Sequence, residues 1–157
     1  MARKKPKKIV IIVSKGTLDM AYPPLNLATT AAAMDVETHL YFTFWGMDIL
    51  NRRKIDKLEI SSVGNPGLAI PNILGMIPGM TRLATSMLKR KMKKAKMPSI
   101  REVVSIAKKA GVKFHACSPT MELMGVKKED LIDEVDDVIG ASTYLDHALD
   151  ADITLFV

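Results

Sequence analysis

Lys8-Ile9-Val10-Ile11-Ile12-Val13 is a β-branched, nearly unbroken apolar run that stops at the polar turn Ser14-Lys15-Gly16-Thr17. A strand with one wet face alternates apolar and polar residues, whereas a strand buried on both faces does not. Such a run marks a central strand of a parallel sheet. A parallel sheet requires the chain to cross over before the next strand, usually through a helix. The sequence supplies one over about 22–34, where Leu25, Ala28, Ala31 and Ala32 form an apolar stripe. Pro23 and Pro24 suit its first turn, because a missing amide proton costs little there.

The alternation of strand and helix continues to the end of the chain. Residues 38–44 mix β-branched and aromatic side chains and read as a second strand, ending at Trp45-Gly46 and followed by a short helix over 47–53. Met80, Leu83, Ala84, Met87, Leu88, Met92 and Ala95 recur at helical spacing, leaving Arg82, Lys89, Arg90, Lys93 and Lys94 for a polar face. Pro98 stops that helix. Ser99 with Glu102 three residues on is a capping box for the next one, which Gly111 ends. Residues 112–116 form a third strand with Cys117 at its carboxyl end, before a short helix over 121–124. Strands over 137–139 and 153–157, with a helix over 142–149 between them, complete an α/β sheet of five strands. At 157 residues the chain makes one domain, 1–157, and residues 1–6 are expected to be a mobile tail.

An insertion over 54–97 precedes the cysteine strand. From Ile60 to Thr81 it has no charged side chain, a length that could cross a bilayer. Pro66, Pro71 and Pro78 and Gly64, Gly67, Gly75 and Gly79 interrupt it, and lipid cannot satisfy the backbone groups freed by such breaks. An irregular apolar surface segment is expected instead of a transmembrane helix.

The net charge of +6 is concentrated in Arg3, Lys4, Lys5, Lys7 and Lys8 and in residues 89–96. A basic balance serves nucleic acid, an anionic membrane or an acidic protein. The 89–96 stretch has no aromatic residue on which a base could stack, so no specific nucleic acid is expected. Met80, Met87, Met92 and Met97, with the apolar insertion, offer a subunit contact or a peripheral membrane-surface patch. The single cysteine excludes an intramolecular disulfide and fits a reducing compartment. The apolar run behind the basic start is too short for a signal peptide. A cytoplasmic location is expected, with peripheral contact at the inner membrane face as the second option.

In open parallel sheets chemistry gathers at the carboxyl ends of the strands. Residues 14–17, 44–46, 117–120 and 140–142 converge there. Cys117 is the residue to weigh: a thiol at a helix start feels the helix dipole and unpaired amides, which favour the thiolate. His115, two residues back, shares its sheet face and, when protonated, would modulate the anion. The competing reading is a small buried hydrophobe. Without a Cys-x-x-Cys the chain cannot run a dithiol cycle alone, but one thiol can hold a persulfide or a mixed disulfide with a partner. Phosphate-loop and dinucleotide glycine patterns are missing. His39, His115 and His147 are scattered without metal-ligand spacing, so neither a metal nor a cofactor is expected. Asp133, Glu134, Asp136 and Asp137 read as a solvated acidic loop.

In this order, Ser14-Lys15-Gly16, Phe42-Thr43-Phe44-Trp45-Gly46, Gly79-Met80-Thr81, Pro98-Ser99, Gly111-Val112-Lys113-Phe114-His115-Ala116-Cys117, Leu123-Met124-Gly125-Val126 and Gly140-Ala141-Ser142-Thr143-Tyr144-Leu145 resemble the DsrE/DsrF-like proteins of the DsrEFH superfamily. The likeness runs from Lys8 to Val157 and is strongest to an insertion-bearing subgroup also described as peroxiredoxin-like. It implies a flavodoxin-like three-layer fold with a five-stranded parallel sheet, a homo-oligomer, and a sulfur-carrying cysteine at Cys117. Sulfurtransferase-type relay with TusA-like or rhodanese-like protein partners follows from the same resemblance. Gly16, Trp45, Gly46 and Gly140 would then line the pocket rim, and Ser118, Thr120 and Met121 would offer backbone amides. Two departures stand out: Ser118-Pro119-Thr120 follows the cysteine where relatives are typically Met-rich, and the second cysteine of some relatives is missing. Two further functions stay open at this point. One is a non-enzymatic oligomeric or membrane-surface adaptor using the insertion and the basic helix. The other is small-ligand binding at the strand ends, by fold analogy alone.

Overall fold

The expected sheet is present. In a computed structural model that describes residues 7–61 and 79–157, five strands pair in parallel in the order β4-β3-β2-β1-β5. They are β1 (Lys8–Val13), β2 (Glu37–Phe42), β3 (Lys113–Cys117), β4 (Asp137–Ile139) and β5 (Ile153–Phe156). The helices are α1 (Leu18–Ala33), α2 (Met47–Leu50), α3 (Met80–Lys94), α4 (Ile100–Lys109), α5 (Ser118–Met124) and α6 (Ala141–Leu149), with a 3₁₀ turn at Phe44–Gly46. The 1–6 tail and most of the apolar insertion lie outside the described residues.

The strand order dictates which helix covers which face. From β1 to β4 the chain steps one strand at a time in a single direction, and only the last connection returns past β1 to place β5. Parallel crossovers are right-handed. The connections made while stepping outward therefore pack on one face, and the returning connection, α6, packs on the other. The contacts agree: α1 packs against α4, while α6 sits over β1 on the far side.

The face under α1 and α4 holds the hydrocarbon core. Ile9, Ile11 and Val13 of β1, Leu40 and Phe42 of β2, and Phe114 and Ala116 of β3 alternate onto it. They meet Leu25 and Ala28 of α1 and Val103, Val104 and Ala107 of α4. Phe42 and Phe114 stack with ring centroids 5.8 Å apart. Ser99 closes the capping box of α4 with Glu102, as the spacing predicts.

Helix α1 departs from the sequence expectation. It begins at Leu18, so Pro23 and Pro24 lie inside it and withdraw amide donors from the carbonyls one turn back. Burial decides the outcome: Leu18, Ala21, Pro24, Leu25 and Ala28 are all buried, and starting at residue 22 would forfeit the first two. The second strand ends at Phe42, two residues early, because Phe44 takes a left-handed φ of 44° and turns the chain. The stripe of α3 also divides. Leu88 and Met92 pack on the core, whereas Leu83 and Met87 remain exposed.

Candidate functional site

Alternation on the strands places a different set of residues beneath α6. Val10 and Ile12, His39 and Tyr41, His115 and Cys117, and Asp137 and Ile139 share that face, in the register Tyr41–His115–Asp137 and Cys117–Ile139. Cys117 belongs to a small cluster with Tyr41 and Ile139, bordered by Ile12 and Tyr144. The Tyr41 and Tyr144 rings lie 4.9 Å apart.

Cys117 ends β3 and α5 begins at the next residue, a turn earlier than the sequence suggests. Cys117 is 7 % exposed. Burial pushes its pKa up, but hydrogen bonding from the side chains of Thr120, Tyr41 and Thr43 outweighs that and leaves the thiol below its ordinary value. The Thr120 amide contributes less, and no formal cap bond closes between Sγ and the start of α5. Burial, and then its bond to Cys117, keep the Tyr41 phenol protonated far above its ordinary range, so it acts as a donor.

Thr120 organises the strand ends. Its Oγ1 lies 3.0 Å from Thr43 Oγ1 and accepts from the Phe44 amide at 3.2 Å. This holds Phe44 in its left-handed conformation, which a bulky residue seldom adopts. The result is an exposed lip in which Phe44 and Trp45 stack 5.9 Å apart.

Gly16 and Gly46 let this end of the molecule close. A Cβ on Gly16 would meet the Trp45 carbonyl oxygen at 2.0 Å, and one on Gly46 would meet the Val13 carbonyl oxygen at 2.1 Å. Both positions thus serve close backbone approach between the end of β1 and the 3₁₀ turn. Gly140 opens α6 opposite the Ser118 hydroxyl, beside the cysteine, while Met121 turns into the main core.

His115 shares the sheet face of Cys117, as expected, and its ring nitrogens meet other groups: its Nε2 lies 2.8 Å from Nδ1 of His39 and its Nδ1 lies 2.5 Å from Oδ1 of Asp137. One expectation about the histidines needs correction. The three are not scattered, since His147 from α6 stacks over both rings at 4.6 and 5.3 Å. Sequence spacing hid this because two strands and a helix deliver one residue each. Burial holds His39 below the ordinary imidazole range, against the opposing pull of its 2.7 Å contact with Glu37. The acidic loop is also less solvated than expected: Asp136 accepts from the Phe114 amide at 2.9 Å and pairs with Lys108 at 2.6 Å.

Residues 5–156 match the DsrE/DsrF/DrsH-like family. The chain belongs to that family. It is 39 % identical over 159 residues to the sulfur carrier protein DsrE2 of Allochromatium vinosum, covering 96 % of this chain and 98 % of that one. YrkE of Bacillus subtilis, an uncharacterized protein, is 29 % identical with 96 % and 97 % coverage. Among solved structures, YchN of E. coli superposes with a TM-score of 0.59 at 15 % identity, covering 96 % of this chain and 99 % of YchN. A protein of unknown function from Methanobacterium thermoautotrophicum gives 0.55 at 15 % identity, covering 95 % and 98 %. These two likenesses establish the fold, an α/β architecture around a five-stranded parallel sheet. No helix among the described residues is long and apolar enough to cross a membrane.

Tyr41, Thr43 and Tyr144 were not singled out from the sequence. A signal existed: Glu37, His39 and Tyr41 occupy alternate positions of β2, an unusual polar series for a central strand.

Proposed function

We propose that this DsrE/DsrF/DrsH-like chain is a sulfur carrier that holds sulfur as a persulfide on Cys117. The observation that carries the reading is the environment of the thiol, where Thr120, Tyr41 and Thr43 favour the anion despite burial. A thiolate is the nucleophile in sulfur exchange. Cys117 thiolate attacks the outer sulfur of a donor persulfide, the new S–S bond forms, and the donor thiolate leaves. Delivery is the reverse exchange, with an acceptor thiolate attacking the outer sulfur. No net oxidation occurs, so the single cysteine suffices. The sulfur carrier DsrE2, at 39 % identity across almost the whole chain, supports the same assignment.

The hydroxyls of Thr43, Tyr41 and Thr120 favour the terminal sulfur in this reading. Ser118, Thr120, Met121 and Gly140 border it, and the lip at Trp45, held by Gly16 and Gly46, faces the protein partner. Donor and acceptor proteins of the rhodanese-like and TusA-like kinds fit an exchange between thiols. The exposed apolar side chains Leu145 and Leu149 of α6 and Phe156 of β5 support association with further copies of the chain.

Incubating the protein with thiosulfate, polysulfide or a persulfidated donor, followed by intact-mass spectrometry, tests the proposal. One added sulfur is expected, lost on treatment with dithiothreitol and absent from Cys117→Ser. A folded wild-type protein that gains no sulfur from any of the three would overturn it.

A further inference from the structure

We propose that His39, His115 and His147 form a binding site for a single divalent transition-metal ion of the Zn²⁺ class. The ligand atoms of the three side chains all lie within 4.8 Å of one another. His39 and His115 are buried beneath α6, and His147 covers them. Their rings are nearly coplanar, 7° apart, with Nδ1 of one facing Nε2 of the other at 2.8 Å.

Proton counting shows what this arrangement lacks. Glu37, His39, His115 and Asp137 form a chain of three close contacts. The two carboxylates are acceptors only, so the outer nitrogens, Nε2 of His39 and Nδ1 of His115, must each carry a proton. Two neutral imidazoles then have no proton left for the inner contact. Two lone pairs would then be aimed at each other from 2.8 Å, an arrangement relieved by one further proton on the pair or by a metal ion beside it.

The outer contacts have the form that metal-binding histidines use. A carboxylate on the far ring nitrogen fixes the tautomer and raises the basicity of the nitrogen turned to the metal. Both strand histidines have that carboxylate, at 2.7 Å from Glu37 and 2.5 Å from Asp137. The donors are all imidazole nitrogens, which suits a borderline ion such as Zn²⁺ and disfavours Mg²⁺ or Ca²⁺. On a tetrahedral ion with Zn–N bonds of about 2.0 Å, neighbouring nitrogens stand about 3.3 Å apart. The inner pair must open by about half an ångström to reach that spacing, and His147 must turn its ring from stacking to point inward. Three histidines leave a fourth position for water or an outside ligand. His115 is two residues from Cys117 on one strand face, about 6.6 Å along it. An ion held there ties α6, with Tyr144, down over the thiol.

Full-length protein stripped with a chelator is titrated with Zn²⁺ by calorimetry and with Co²⁺ by visible absorption. One ion per chain is expected, with the ligand-field bands of tetrahedral Co²⁺ and a raised Tm. His147→Gln, on the covering helix, should abolish the bands without unfolding the apo protein. Asp137→Asn should weaken Zn²⁺ about 10–100-fold. Cys117→Ser should bind like the wild type, which separates this site from the sulfur-carrying reading. The site is refuted by no saturable binding, by binding unchanged in His147→Gln, or by binding lost in Cys117→Ser.

Discussion

The two faces of one sheet have been put to opposite uses. Beneath α1 and α4 the strands present Ile, Leu, Val and Phe to two helices that also contact each other. Beneath α6 the same strands present two histidines, a tyrosine and a cysteine to a helix with no fully buried residue of its own. Because side chains alternate along a strand, one pairing register serves both faces at once. The apolar face supplies the burial that stabilises the sheet. That leaves the other face free to carry polar groups whose properties are set by burial and hydrogen bonding together. Topology explains why the division falls where it does: among the described helices, only α6 belongs to the crossover that returns across the sheet.

Substitutions on the two faces should therefore fail differently. Phe114→Ala removes a fully buried ring from the α1–α4 face and should cost about 3–5 kcal/mol in urea denaturation, with loss of sulfur loading only as a consequence of unfolding. A cost below about 1 kcal/mol would show that this face is not the stabilising one.

Thr120→Val should cost far less, about 1 kcal/mol, yet change the chemistry more. It deletes the first of the side-chain hydrogen bonds that lower the thiol pKa. The sign is fixed by the charge: those bonds favour the thiolate, so removing one must raise the pKa and move the alkylation profile to higher pH. Iodoacetamide labelling of Cys117 across a pH series should show that shift, with a severalfold slower rate at neutral pH. An unmoved profile would mean that the hydroxyls do not set the thiol's reactivity.

The smallest effect is expected at Leu149→Ser. This side chain is 81 % exposed on α6, so the stability of a single chain should change by no more than about 0.5 kcal/mol. Sedimentation velocity should instead show weaker self-association, because the substitution removes exposed apolar surface from α6. Unaltered assembly would place the subunit contact elsewhere.

Much of the architecture was legible because its signals are local. The run from Lys8 to Val13, the Ser99–Glu102 box and the helical recurrence from Met80 onward each state their structure within a few residues, and the fold shows all three. Pro23 and Pro24 misled for the same reason. Local propensity placed them in a first turn, and the burial of Leu18 and Ala21 overrode it. At the cysteine, position on a strand end was readable, but the groups acting on the thiol were not. Tyr41 and Thr43 stand more than seventy residues before Cys117 and reach it only through the β2–β3 pairing.

By itself, the sequence determined the α/β class, the number of strands and their succession along the chain, and the lone sulfur at a strand end. These follow from residue patterns shorter than one element. Only the tertiary structure decided which face each side chain shares, what surrounds Cys117, and that His39, His115 and His147 meet. Those facts depend on register and on the hand of the crossovers, which bring together residues with no relation along the chain.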